Sequence, residues 1–202
     1  FYGNRGFFPA SLIAEARAEL PRVLAAMGHR TIALDPAATR YGAVETVEEG
    51  RKFAAFLAEH RGEFGGVILS LPNFGDENGA VAALRDAGVP ILVHAYPDTL
   101  DRMQPENRRD SFCGKLSVMD VFRQNGLAFT ALAPHVAAPG GDAFRRNVEH
   151  FDRVCRVVGG MRRVTVGAVG ARTTPFKTVR IDEVALQRHG ITVETLDLSD
   201  IF

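Results

Sequence analysis

Short apolar runs alternate with stretches of helical periodicity from one end of the chain to the other, and this alternation restricts the fold more than any other feature. The runs 31–36 (TIALDP), 66–72 (GVILSLP), 90–97 (PILVHAYP), 128–134 (AFTALAP), 163–170 (RVTVGAVG) and 191–198 (ITVETLDL) are brief, rich in Val, Ile, Leu and Thr, and bounded by Gly or Pro. They are expected as strands. Helices are expected near 9–27, 46–62, 78–88, 115–125, 142–159 and 181–189. In and just after 46–62, the apolar positions Val47, Phe53, Phe56, Leu57 and Phe64 fit one helical face better than an alternation. Gly28, Gly88, Gly126 and Gly190 each follow a helical stretch and are expected to end it as left-handed caps. Helix and strand alternating through short connections leave neighbouring strands parallel and covered on both faces. The expected fold is therefore α/β: a parallel, doubly wound, flavodoxin- or Rossmann-like three-layer sandwich with right-handed crossovers.

A boundary is expected near Gly159-Gly160, giving an N-terminal α/β domain over 1–160 and the start of a second α/β domain over 161–202. The opening FYGNRGFFP reads as the last residues of a strand, a glycine turn and a helix start. At the other end, Ser199 and Asp200 in LDLSDIF read as the beginning of a helix. Both ends are thus expected to continue into a longer protein, with the first strand truncated.

The chain has 202 residues, 24 Lys+Arg against 24 Asp+Glu, and 46% hydrophobic residues, which fits a soluble globular protein of one domain and part of a second. A balanced charge gives no pull toward nucleic acid or a membrane surface, and the longest apolar runs are strand-sized. Neither is expected as a partner, and the cytoplasm is the expected compartment. Cys113 and Cys155 have no CxxC spacing and are expected as reduced thiols.

In open parallel sheets, ligands sit beyond the carboxyl ends of the strands, so the loops there are the candidates for chemistry. GNRGFFP (3–9) presents Arg5 near a helix N-terminus, a place suited to anions and hydroxyls, while Phe7 and Phe8 fit a core. LPNFGDENG (71–79) carries Phe74 within a polar loop, and Asp76 and Glu77 are expected to cap the helix that follows. His94 and Tyr96 sit at a strand end, where a hydrogen-bonded structural histidine is the expected role; no role is assigned to His135. Gly114-Lys115 resembles part of a phosphate loop, yet Arg109 stands where the first glycine is needed and Leu116 replaces the Ser/Thr. No GxGxxG and no HExxH occur, the other histidines do not cluster, and no complete metal-ligand set or Ser-His-Asp triad can be assembled. No catalytic and no metal-binding residue is therefore expected in this stretch. In GARTTPFKTVR (170–180), three threonines and several cationic side chains follow an apolar strand, which fits an anion or polyol site or a subunit contact.

Taken together, GNRGFFP, FCGKLSVMDVFRQNG and GARTTPFKTVRIDEVALQRHGITVETLDLSDIF resemble the L-fucose/L-arabinose isomerase family, in its fucose-isomerase-like branch. The resemblance implies an aldose–ketose isomerase that uses a divalent metal, usually Mn²⁺. It implies two N-terminal α/β domains followed by a C-terminal domain, with the metal ligands in regions after Phe202 and no metal bound by residues 1–202. It implies a homo-oligomer acting on a small-molecule sugar. Arg5 falls where the family places a substrate-contacting arginine after the first strand. Phe74 stands where a relative carries tryptophan, reaching the active site of a neighbouring subunit. Lys115 is a substrate-binding candidate by motif similarity. Arg172 and Lys177 are expected as positioning groups at the sugar cleft or domain interface. The alternative is a sugar-binding α/β module without catalysis, which the fold accommodates equally well.

Overall fold

The computed structural model describes residues 1–170 and 181–202. The chain divides into two compact units, Phe1–Cys155 and Arg156–Phe202.

In the first unit, α1 (Ala10–Ala26), α2 (Val47–Glu59), β1 (Val67–Leu71), α3 (Glu77–Leu84), β2 (Ile91–Ala95) and α4 (Ser111–Gln124) follow in order, and α5 (Asp142–Met161) begins near the unit's end. β1 and β2 pair in parallel, Val67 opposite Ile91 through Leu71 opposite Ala95. Isolated parallel bridges extend this pairing on both edges: Tyr2 with Ser70 and Gly3 with Val44 on one side, Leu92 with Thr130 on the other. The molecule is thus of the α/β class, with short parallel strands. β1 is buried on both faces, as its unbroken apolar run requires. Val67, Leu69 and Leu71 pack into one cluster with Phe53 and Leu57 of α2 and Val118 and Phe122 of α4. Ile68 packs against a second cluster built from Leu20 and Leu24 of α1 and Phe144 and Val148 of α5.

Local chemistry sets the helix ends. Thr46 caps α2 by accepting from the Glu49 amide, and Asp76 caps α3 by accepting from the Gly79 amide at 2.7 Å. The glycines at 28, 88, 126 and 190 all adopt the positive φ expected of them. No helix among the described residues is long and apolar enough to cross a membrane.

Two expected strands are not strands. Residues 31–36 enter no ladder among the described residues, and only Leu34 among them is buried. A strand forms only where a neighbour offers amides and carbonyls in register, and residues 1–3 supply bridges to Ser70 and Val44 instead. The run 128–134 contributes a single bridge at Thr130, whose amide donates to Ile91 O and whose carbonyl accepts from Val93 N.

In the second unit, β3 (Val164–Val169) and β4 (Ile191–Leu196) pair in parallel, Val164 opposite Ile191 through Val169 opposite Leu196, with α6 (Glu183–Arg188) before β4. Asp182 caps α6 by accepting from the Ala185 amide at 2.9 Å. Leu198–Asp200 form a short 3₁₀ turn closed by a capping box from Asp197.

Candidate functional site

Parallel strands send their following loops to one edge, and there the first unit builds a connected polar network. The loop after Gly3 carries Asn4 and Arg5; the loop after β1 carries Asn73 and Phe74. Asn73, fully buried, ties the two together. Its Oδ1 accepts from the amides of Arg5 at 3.2 Å and Gly75 at 3.1 Å, and its Nδ2 donates to Asn4 Oδ1. Asn4 Nδ2 donates in turn to Glu45, whose other oxygen pairs with Arg40 at 3.4 Å. Buried amides survive only when both their donors and acceptors are used, and these two loops satisfy each other.

Arg5 is held on three sides. Nε donates to Gly75 O at 2.7 Å, Nη2 donates to the Glu77 carboxylate, and the guanidinium lies over the Phe74 ring, 4.7 Å from its centroid. A cation over an aromatic face contributes about 0.5–1 kcal/mol at a partly exposed site. Glu77 also accepts from Ser117 Oγ on α4. Burial pushes the Glu77 carboxyl up, but the hydrogen bonds from Ser117 and the backbone, then Arg5, outweigh it and hold the group below its usual range. Glu77 therefore stays ionised and orients Arg5 rather than moving a proton. Asp76 is the N-cap of α3, while Glu77 in its first turn accepts from its own backbone amide and is also joined to Arg5 and Ser117.

Phe74 is half-buried. α4 supports its backbone at Gly114, where an added Cβ would lie 1.9 Å from Phe74 O. Arg109, the residue that spoils a phosphate loop, has a structural task beside the same segment. It donates to Pro72 O at 3.0 Å and to Glu15 at 2.8 Å, with its guanidinium 4.8 Å from the Tyr96 ring centroid.

The structure therefore brings Arg5 and Phe74 into contact. Lys115 is not joined to them: its side chain is buried and Nζ donates to His135 O at 2.9 Å, with burial pushing the amine down to about 8. Arg172 and Lys177 lie outside the described residues. His94 is a buried structural histidine. Nε2 lies 2.8 Å from Ala137 O and Nδ1 3.0 Å from Ser70 Oγ, which the neutral ring satisfies by donating to the first and accepting from the second. Phe8 is in the core, whereas Phe7 is 72% exposed. The sequence did not reveal Asn4, Asn73, Glu45, Glu77 and Ser117 as a network, because a lone polar residue in a loop carries no mark of its distant partner.

Chemically, the edge offers an aromatic face, a fixed guanidinium and the ionised Glu77 carboxylate. Such a surface orients hydroxyl groups. Among the described residues no three His, Cys, Asp or Glu side chains gather as a metal-ligand set.

Residues 1–162 match the family model described as fucose/sulfoquinovose isomerase, N-terminal domain. No curated protein matches the chain.

Proposed function

Because this chain belongs to the fucose/sulfoquinovose isomerase family through that N-terminal domain, we propose that its carboxyl-edge loops form substrate-pocket walls and subunit contacts of a cytoplasmic, homo-oligomeric aldose–ketose isomerase. The observation that carries this reading is the Arg5–Phe74 pair, an aromatic wall with a guanidinium fixed over it by Glu77 and Gly75. Arg5 Nη1 makes no hydrogen bond among the described residues, which leaves it to donate to a sugar hydroxyl. Phe74 serves as the wall against which a neighbouring subunit's sugar packs. The doubly wound three-layer sandwich is the architecture we propose for the domain, supported by apolar clusters on both sides of β1.

In aldose–ketose isomerisation, a divalent metal polarises adjacent substrate oxygens while a base moves a proton between neighbouring carbons. The described residues do not fit a resident Mn²⁺, and no step is assigned through one. Residues 1–202 alone are accordingly expected to show no turnover of fucose or arabinose and no tight Mn²⁺ binding. Calorimetry with Mn²⁺ and a ketose assay check this; micromolar affinity or measurable turnover refutes it. A sugar-binding module without catalysis is separated from the isomerase reading by the activity of the full-length protein.

In that full-length protein, Arg5→Ala is expected to lower kcat/KM by about 2 kcal/mol, the scale of a hydrogen bond to a charged group. Phe74→Ala is expected to raise KM while kcat holds, since a wall residue binds ground and transition states alike. Steady-state kinetics decide, and wild-type constants in both variants leave the pair with no part in substrate binding.

A further inference from the structure

Arg5 and Phe74 have a neighbour of the same kind. The Arg40 guanidinium lies over the Tyr41 ring, 5.3 Å from its centroid, and both residues are exposed. This pair is built against the loop that carries Arg5. Arg40 Nη1 donates to Gly6 O and to Glu45, each at 3.4 Å, and Glu45 is the far end of the Asn4–Asn73 chain. Gly6 is what lets the two loops approach: a Cβ there would stand 3.0 Å from the Glu45 carboxylate and 3.3 Å from Arg40 Nη1. Phe7 lies in the turn closed by the Phe8 amide on Arg5 O at 2.9 Å. It stands exposed, its ring stacked on buried Phe8 with 4.6 Å between centroids.

Tyr41 is held in a backbone conformation that a bulky side chain avoids. Its φ is 63°, in the left-handed region, and Gly42 repeats the value. The turn is tied at several points. Ala43 N donates to Arg40 O at 3.1 Å, and Thr39 Oγ1 donates to Ala43 O at 2.6 Å. The Glu49 carboxylate accepts from the amides of Arg40 at 3.2 Å and Glu45 at 2.7 Å. None of these bonds uses the Tyr41 side chain, so a glycine at 41 would close the same turn with less strain. Strain at an exposed aromatic that adds no bond to its own turn points to a ligand contact.

We propose that Arg40 and Tyr41, with Phe7 beside them, form a second contact for the sugar, next to the Arg5–Phe74 pair. The rings pack on the C–H face of a polyol, and the guanidinium groups donate to its hydroxyls. Arg5 and Arg40 are each paired with a carboxylate, Glu77 and Glu45, so neither leaves an unmatched positive charge for an anion. The ligand class is therefore an uncharged polyol rather than an anionic sugar. The inference rests on the reading of this edge as a sugar pocket, and adds to it both the second pair and the charge of the ligand.

The test titrates the protein with L-fucose and, separately, with glucuronate, and follows the Nε–H signals of Arg5 and Arg40 by NMR. L-Fucose is expected to move both, and glucuronate to move them less at equal concentration. Movement of Arg5 alone, or of neither, overturns the inference, and a larger response to glucuronate overturns the ligand class. A second measurement separates contact from support. Tyr41→Gly is expected to raise the dissociation constant for L-fucose about tenfold while its urea midpoint stays at the wild-type value or above, because glycine takes a left-handed φ without strain. A midpoint that falls together with the affinity makes Tyr41 a structural residue, and an unchanged dissociation constant removes it from the site; either result overturns the proposal. Failure of the isomerase reading shows elsewhere: a full-length protein that turns over no sugar, while both arginines respond to L-fucose, loses the reaction and keeps this contact.

Discussion

Gly114→Ala is expected to destabilise the first unit by about 3 kcal/mol, although alanine is the better helix former. Gly114 lies in the first turn of α4, where helix propensity alone favours the substitution by about 1 kcal/mol. Packing decides the other way. The new Cβ would sit 1.9 Å from Phe74 O and 2.5 Å from Phe74 C, and these are main-chain atoms that no rotamer change can move aside. Either α4 shifts outward, opening the contacts of Val118 and Phe122 with β1, or the 72–75 loop shifts. The second course displaces Phe74 and loosens the Asn73 bonds to Arg5 and Gly75. Urea denaturation checks the stability, and kinetics of the full-length enzyme check the site, where KM is expected to rise as in Phe74→Ala. A variant more stable than wild type by the propensity increment would show that α4 does not bear on the loop.

This contact marks the limit of what the residue pattern discloses. Gly114-Lys115 suggests a failed phosphate loop, whereas the glycine is there to let a helix meet a loop backbone and the lysine to reach His135 O. The runs that became β1 and β2 were legible because a short apolar segment bounded by Gly or Pro has few other ways to bury itself, while β3 and β4 follow the same residue pattern although most of their residues are exposed. Residues 31–36 have a similar apolar pattern but enter no ladder among the described residues, since apolar pattern reports a preference for burial and not the presence of a neighbour in register. Topology made Arg5 and Phe74 legible, because loops after parallel strands share an edge whatever their separation in sequence. Their supports were not: Asn4 meets Asn73 across 69 positions and Glu77 meets Ser117 across 40. Position in the sheet can be argued from pattern, but the pairing of individual polar side chains depends on distances that only the folded chain sets.

Stability is expected to fall by about 3 kcal/mol between pH 6.5 and pH 4 through His94 alone. Burial pushes this imidazole down to about 4 from an ordinary 6.5; the Ala137 carbonyl works against the shift and Lys115 adds to it. The sign follows from proton counting. Between those two values the unfolded chain holds a proton on His94 that the folded chain excludes, so acid draws the equilibrium toward unfolding. The contribution is fully present above pH 6.5 and fully lost below pH 4. Protonation is costly here because Nε2 already donates to Ala137 O, and Nδ1 would have to donate to Ser70 Oγ, turning that hydroxyl from donor to acceptor without leaving the core. Urea midpoints measured from pH 8 to pH 4 check this. His94→Phe is expected to start less stable, because Ser70 Oγ and Ala137 O lose their partner. It is nevertheless expected to have a flatter slope below pH 6.5, with the slope above it unchanged. An undiminished acid slope in that variant would place the titrating group elsewhere.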